Sequence, residues 1–309
     1  MEAPARQVKP AARLPLLDDF DIVQVMRLAS TFLGTLCLLF LTNLLGAATR
    51  VVVSVPPYEA LVEAILPDAE VQVLLPPGQS CETYQPKPSQ LQGLAKAQVV
   101  LLTGVDYERP WRGRLRQLAP AAIIVDLAEE DDHAEHAHAG HHEHAAHPWM
   151  SPHAVLEQVD LIEAGIKQLK GVDVDDVAER ADALRARLSE LDRQVGHLLE
   201  PYQGRLMLSY HPAYGALAER YHFETLSIET GASMPSPMQL RDIIQQAEEA
   251  GVQTVYVQPQ DPEAAAERVA QALDAQVVEL DPLDPDYFAN VLAIAEQLAT
   301  NWKAEHAAQ

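Results

Sequence analysis

Residues 173–199 read DVDDVAERADALRARLSELDRQVGHLL, and this stretch decides how the rest of the chain is arranged. Its apolar side chains recur at steps of three and four residues, which places them along one face of an α-helix. Pro201 and Gly204 end the helix, so we predict one long linking segment over 171–203. The predicted buried face consists of Val177, Ala181, Leu184, Leu188, Leu191, Val195 and Leu198.

Short apolar runs alternate with helical segments on both sides of this helix. The runs show little apolar–polar alternation, which is typical of strands in a parallel sheet covered on both faces. We therefore expect an α/β protein with two parallel-sheet lobes, at 49–170 and 204–309, joined by the long rigid helix. The predicted strands are 50–55, 71–75, 99–102, 121–125, 206–209, 224–228, 254–257 and 276–280. The other predicted helices are 58–66, 88–96 with Ser89 as N-cap, 111–118, 155–169, 213–221, 237–250, 262–273 and 287–302.

The N-terminal segment 1–48 has the composition of a leader and not of a domain. A short basic stretch beginning at Met26 precedes an apolar run at 32–45 and small residues at 46–48. The apolar run is shorter than the roughly 20 residues that a membrane-spanning helix needs, so we expect cleavage after Ala48 and no anchor. We expect translation to begin at Met26, with an extension and a signal peptide before the cleavage site, and the mature protein to lie in the periplasm.

Charge and cysteine content narrow the possible partners. The chain has 309 residues, 48% of them hydrophobic, and a formal net charge of −23. Its length suits two domains with a substantial core. The acidic balance makes nucleic acid and anionic membrane surfaces poor partners. Without the leader one cysteine remains, Cys81, so we expect no internal disulfide in the exported protein.

A histidine-rich segment at 131–147 follows the fourth predicted strand. It mixes imidazoles with alanine and acidic residues and lacks the large apolar side chains needed to nucleate a core. Imidazole is a common ligand for zinc, copper and nickel, so we predict an accessory loop that binds metal loosely. The alternative is a solvated loop without a role. The accessory ligands would be His133, His136, His138, His141, His142 and His144.

Four potential metal ligands follow predicted strands, two in each lobe. Binding sites of parallel α/β sheets lie at the carboxyl ends of strands, and a cleft between two lobes is a natural ligand site. Two imidazoles and two carboxylates form a closed shell suited to zinc, or to manganese when oxygen dominates. Each residue alone could be a solvated loop acid or a capping residue, so the prediction rests on their joint placement. They are Glu82, His147, His211 and Asp281.

With these residues in place, the sequence resembles the zinc/manganese substrate-binding proteins of bacterial ABC importers, the zinc-uptake branch in particular. The resemblance extends from about Arg50 to Trp302. It implies two α/β lobes joined by a rigid helix, with a divalent metal buried between them. The matching stretches are VVVSVPPYEALVEAI, LLPPGQSCETYQPKPSQLQGLAKAQVVLLTG, HPWMSPHAV, LSYHPAYGALAERY and SIETGASMPSPMQLRDIIQQAEEAGVQTVYVQPQ.

The resemblance also implies a ligand set, with one departure. His147 and His211 match the second and third ligand positions of the family, and Asp281 matches an aspartate that some members use as the fourth. The family usually reads Gly-x-x-x-His-x-Tyr around the first ligand, and here Glu82 replaces that histidine. The thiolate of the neighbouring Cys81 is the alternative ligand. Because successive loop residues often point in different directions, we expect one of the two to bind.

Gln258, which follows the strand at 254–257, stands where relatives often have glutamate, and we expect it to support a ligand at most.

The function implied is high-affinity capture of periplasmic zinc for an ABC permease and its ATPase at the inner membrane. The protein would act as a monomer, with Zn²⁺ as its transported ligand. Uptake of manganese or another divalent metal, and zinc buffering without a transporter, are the alternatives. A secreted zinc hydrolase is disfavoured because the sequence contains neither H-E-x-x-H nor G-x-S-x-G. We therefore expect a binding protein and not an enzyme.

Overall fold

The structure, a computed structural model, describes residues 48–128, 147–229 and 235–308. The predicted signal peptide, the start at Met26 and the accessory histidines of 133–144 lie outside these ranges. Within them, no helix is both long enough and apolar enough to cross a membrane.

Two four-stranded sheets form the framework, and all their strands are parallel. The strand orders are β2-β1-β3-β4 and β6-β5-β7-β8, so the two sheets share one topology. The predicted fold class is confirmed. We call the part that carries the first sheet the N-terminal lobe and the part that carries the second the C-terminal lobe. The strands are β1 (Arg50–Val53), β2 (Glu70–Val73), β3 (Val99–Leu102), β4 (Ile123–Asp126), β5 (Leu206–Ser209), β6 (Glu224–Ser227), β7 (Thr254–Val257) and β8 (Gln276–Glu279).

Helices connect the strands and link the lobes. The prediction that Ser89 caps the second helix is wrong. The N-cap of that helix is Lys87, whose backbone N–H donates to Oε1 of Gln90 at 2.9 Å. Pro88 occupies the first helical position, where the fixed φ of proline fits the helix. The described helices are α1 (Pro57–Ile65), α2 (Pro88–Leu94), α3 (Arg112–Leu118), α4 (Pro152–Ile166), α5 (Val174–Leu199), α6 (Gly215–Tyr221), α7 (Pro237–Glu249), α8 (Glu263–Leu273) and α9 (Tyr287–Ala308).

The long linking helix α5 begins where the sequence predicts. Asp173 is its N-cap, with a side chain that accepts from the N–H groups of Asp175 and Asp176. The predicted buried face is correct except in the last turn, where Leu199 is buried and Leu198 is half-buried. In a straight helix with 3.6 residues per turn, the buried face drifts away from a strict seven-residue repeat, and this drift moves the final contact one residue onward.

The two lobes share a hydrophobic core. Buried valines of β1 and β3, the apolar face of α5 and the inner side chains of the C-terminal lobe belong to one continuous cluster. Successive side chains of a strand point to opposite faces, so in β7 Tyr256 packs into this shared core. Val255 and Val257 pack into a second core that lies entirely within the C-terminal lobe. The shared core fixes the lobes against each other, with loops of both sheets meeting in one cleft.

Candidate metal centre

The loop after β2 carries Cys81 and Glu82 and is anchored by a short helical turn. The turn, Asp106–Glu108, supplies the backbone N–H of Tyr107, which donates to the carbonyl of Cys81 at 3.2 Å. The phenol of Tyr107 donates to the carbonyl of Ser54 at 2.8 Å. The backbone of Cys81 is thereby fixed relative to the end of β1.

The turn is itself fixed by the fully buried carboxylate of Glu108. Its oxygens accept from the N–H and hydroxyl of Thr103, at 2.9 and 3.0 Å, and from the N–H of Gly104 at 2.9 Å. Gly104 has a φ of +86°, a conformation that glycine adopts without strain. Burial raises the pKa of Glu108, although the hydrogen bonds partly oppose this shift.

His147 and the residues that follow it lie at the cleft and are fastened across the lobes. The next residues form a short turn, Pro148–Met150, in which Trp149 is fully buried. The indole Nε1 of Trp149 donates to the carbonyl of Pro282 in the C-terminal lobe at 2.7 Å. The rings of His147 and Trp149 meet edge to face at 5.1 Å. These contacts hold a buried imidazole in a set orientation.

His211 follows β5 and is held from both sides of its ring. Its Nδ1 atom lies 2.8 Å from Oε2 of Glu229, and its Nε2 atom lies 3.2 Å from Oε1 of Glu82. Because Glu82 belongs to the N-terminal lobe, this contact spans the cleft. The ligand atoms of His211, Glu82 and Glu229 lie within 4.8 Å of one another, an arrangement that could hold a metal ion.

The second histidine is paired with the cysteine. Sγ of Cys81 lies 3.4 Å from Nε2 of His147, and the ring centroids of His147 and His211 are 5.3 Å apart. Both neighbours in the loop after β2 thus face the histidines, although the sequence had led us to expect only one of them to do so. The Nδ1 atom of His147 is buried and has no hydrogen-bond partner among the described residues.

The surroundings of these groups shift their proton affinities in different directions. Burial, reinforced by the neighbouring His211, lowers the pKa of His147 to about 3. Burial also acts to lower the pKa of His211, but the hydrogen bond to Glu229 and the charge of Glu82 outweigh it, so that pKa is raised. Burial and the charge of Glu82 raise the pKa of Cys81 to about 12. Hence His147 is a neutral imidazole at physiological pH, while His211 is stabilised in its protonated form.

The predicted ligand Asp281 makes different contacts. Its Oδ1 atom accepts from the backbone N–H of Leu283 at 2.8 Å, and its carbonyl accepts from the side-chain amide of Asn290 at 2.7 Å. Burial raises its pKa. Within the described ranges, Asp281, like Cys81 and His147, is not part of the cluster formed by Glu82, His211 and Glu229. Its role as a ligand stays a prediction.

Two acidic residues at the cleft were not among the ligands predicted from the residues that follow the strands. Glu229 lies two residues after β6, and Asp261 lies four residues after β7. Both line a cavity of about 160 Å³ together with Glu82 and His211. Burial raises the pKa of Asp261 to about 6. The same rule that identified His211 would have found Glu229 if it had been applied to β6 as well.

Gln258 lines the same cavity and is buried. Its N–H donates to Asp261 at 2.8 Å and its Oε1 accepts from Gln260. Its Nε2 atom has no hydrogen-bond partner among the described residues. Its predicted role in supporting a ligand stays a prediction.

The chain is similar to known proteins over nearly all of its described residues. The family model of the zinc-uptake complex component A, periplasmic (ZnuA) matches residues 51–301. The high-affinity zinc uptake system protein ZnuA of Yersinia pestis is 26% identical over 285 residues, which covers 80% of this chain and 89% of the relative. The protein of the same name from Paracoccus denitrificans is 27% identical over 276 residues, with 75% and 83% covered.

Solved structures agree with this relationship. A crystal structure of ZnuA superposes with a TM-score of 0.76 at 28% identity, covering 82% of this chain and 99% of that one. A ZnuA deletion mutant with zinc bound superposes with a TM-score of 0.74 at 28% identity, covering 82% and 98%. The resemblance predicted from the sequence motifs is confirmed, and the chain belongs to the family of the periplasmic component A of zinc-uptake complexes.

Proposed function

We propose that this protein captures one zinc ion in the cleft between its lobes and delivers it to an ABC permease and its ATPase for import. The observation that carries this proposal is the approach of His211 in one lobe to Glu82 in the other, at 3.2 Å. A ligand pair drawn from both lobes lets one ion hold the cleft closed, so that the loaded form differs from the empty one. Membership of the zinc-uptake family supports zinc as the cargo.

Three side chains would supply the first ligands. The Nδ1 atom of His211 is engaged by Glu229, which leaves Nε2 to bind the ion once this nitrogen has released its proton. His147 is neutral, as a ligand imidazole must be, and offers Nε2. Glu82 supplies a carboxylate oxygen. A fourth protein ligand would close the shell and leave no position for a reactive water, which disfavours hydrolysis.

Location and partners are proposed on the same basis. The family is periplasmic by its description, which agrees with a signal peptide cleaved after Ala48. The permease would meet the faces of the two lobes on either side of the cleft. A monomer with lobes at 49–170 and 204–309 would suffice, because residues of one chain provide the ligands. The histidines of 133–144 would serve as a weaker accessory site.

The decisive experiment measures zinc affinity by competition with a chelator of known affinity. The protein should bind one zinc tightly, and should still do so when residues 133–144 are deleted. His211→Ala should weaken zinc binding by more than the roughly 10–100-fold that is typical when the hydrogen-bond partner of a metal ligand is removed. The exposed His222 lies in the same lobe, and His222→Ala is the matched control, which should keep full affinity. Loss of tight binding in the loop deletion, or equal affinities for the two histidine variants, would refute the cleft site.

A further inference from the structure

We propose that the thiolate of Cys81 is the fourth ligand of the cleft site and that it makes the site selective for zinc over manganese. This inference rests on the proposed function. It assigns to the site one sulfur, two imidazole nitrogens and one carboxylate oxygen, supplied by Cys81, His147, His211 and Glu82.

Two distances between these groups have the length of an edge of a tetrahedral zinc site. With a Zn–S bond of about 2.3 Å and a Zn–N bond of about 2.05 Å, sulfur and nitrogen lie about 3.6 Å apart, and nitrogen and a carboxylate oxygen about 3.3 Å apart. The structure has 3.4 Å between Cys81 Sγ and His147 Nε2, and 3.2 Å between His211 Nε2 and Glu82 Oε1.

The two histidine rings provide a third, independent distance. Imidazoles that share one tetrahedral zinc through Nε2 have ring centroids about 5.2 Å apart, because each centroid lies about 3.2 Å from the metal. The centroids of His147 and His211 are 5.3 Å apart, with ring planes at 81°. The two pairs therefore lie side by side at the cleft. The ligand atoms within 4.8 Å of one another in the structure are those of Glu82, His211 and Glu229, so the pair of Cys81 and His147 would have to draw in around the ion.

Cys81 fits this position better than the alternative fourth ligand. Its side chain is buried, 5% exposed, and it is the one free cysteine of the described residues. The hydrogen bond from the N–H of Tyr107 to its carbonyl fixes its backbone. Asp281 instead binds the N–H of Leu283. The sulfur faces the second histidine, whereas the aspartate is engaged in its own turn.

The chemistry of sulfur then sets the choice of metal. Thiolate is a soft ligand that favours zinc, while manganese, magnesium and calcium prefer oxygen. As the Zn–S bond forms, the S–H bond breaks and the proton leaves to solvent, since a coordinating thiol is deprotonated outright. Manganese gains little from this exchange. The position of Cys81 would therefore discriminate between two ions of equal charge.

Cobalt(II) is the probe for the sulfur ligand, because a cobalt–thiolate bond gives an intense ultraviolet charge-transfer absorption that oxygen and nitrogen ligands do not produce. The full chain loaded with cobalt should show this band, and Cys81→Ser should lose it while Asp281→Asn keeps it. Zinc should also protect Cys81 from alkylation in the wild-type protein. Absence of the band in the wild-type protein, or alkylation unaffected by zinc, would overturn the proposal even if the serine variant failed to fold.

Selectivity is tested by measuring zinc and manganese affinities of the same variants. Cys81→Ser should reduce the ratio of zinc to manganese affinity by about tenfold or more, a change that general damage to the site would not produce. An unchanged ratio, or the same reduction in Asp281→Asn, would overturn the role of Cys81. If Glu82→Ala and His211→Ala abolish zinc binding while Cys81→Ser does not, this inference fails and the proposed function stands. If the wild-type protein binds no zinc tightly, the proposed function itself fails.

Discussion

The ring of His211 lies between two carboxylates: its Nδ1 atom is 2.8 Å from Oε2 of Glu229, and its opposite nitrogen, Nε2, faces Glu82 across the cleft at 3.2 Å. The ring is thereby held in one orientation. A carboxylate placed behind a ligand histidine increases the basicity of the ring and orients the nitrogen that binds the metal. Glu229 comes from β6 and Glu82 from the loop after β2, so one histidine connects acidic groups of both lobes.

Glu229→Ala should weaken zinc binding by about 10–100-fold, because the ring of His211 loses its fixed orientation. Glu229→Gln should weaken zinc binding less than Glu229→Ala does, since the amide oxygen of glutamine can still accept a hydrogen bond from Nδ1 of His211. Glu224→Ala, at the exposed start of the same strand, is the control and should have no effect. Chelator competition measures all three. A loss as large as that of His211→Ala would instead make Glu229 a direct ligand.

Glu108→Ala should destabilise the protein by about 2–4 kcal/mol, because it leaves the backbone N–H groups of Thr103 and Gly104 buried without acceptors. Urea unfolding of the metal-free protein measures this cost. Zinc binding should weaken as well, since the turn that carries Tyr107 anchors Cys81. Asp106→Asn changes an exposed carboxylate of the same turn and should cost little. Equal stabilities for the two variants would show that the buried carboxylate does not hold this turn.

The fold was predictable because its strands are short apolar runs bounded by turn residues. Three strands, 99–102, 206–209 and 254–257, have the predicted bounds. Helix ends were less predictable because distant contacts decide them. The last helix was predicted to end at residue 302 and extends to Ala308, since Glu305 is buried against the C-terminal sheet.

The candidate site was predictable only in part, because contacts between residues distant in the sequence decide its side-chain pairing as well. The places of His147, His211 and Glu82 after predicted strands indicated that they are candidate ligands, because the topology brings those strand ends to one cleft. It did not indicate which groups would pair, since pairing depends on side-chain direction. Cys81 facing His147 and Glu229 facing His211 are such cases.

Glu305→Ala should lower stability by about 2–4 kcal/mol, because the partly buried guanidinium of Arg205 would lose its counter-charge. Glu305 also accepts from the N–H of Gln253 at 3.1 Å and the hydroxyl of Thr254 at 3.2 Å. The amides after residue 302 should then exchange hydrogen faster, because the end of α9 loses its anchor. Glu296→Ala, at an exposed position of the same helix, is the control. Unchanged exchange after residue 302 would contradict this account.

Asp192→Asn should destabilise the protein at neutral pH and become harmless in acid. Asp192 on α5 accepts from Arg220 at 2.9 and 2.5 Å and from the hydroxyl of Tyr221 at 2.9 Å, which ties the linking helix to the C-terminal lobe. The hydrogen bond from Arg220 lowers the pKa of Asp192 against the opposing effect of burial. The folded protein therefore binds this proton less readily than the unfolded chain.

The sign of the pH effect follows from this lowered pKa. The stabilisation by Asp192, about 1–2 kcal/mol after solvent screening of the exposed part of Arg220, is fully present above the unfolded pKa of about 3.9. It is lost as the pH falls through the lower pKa of the folded protein. Urea unfolding of the metal-free protein should show a constant difference between wild type and Asp192→Asn from pH 7 to about 5, and a shrinking one below about 4. Asp182→Asn, whose side chain on the same helix is 77% exposed, should cost about 0–1 kcal/mol at pH 7. A difference for Asp192→Asn that stays constant or grows in acid would mean that this carboxylate does not hold the linking helix to the lobe through its charge.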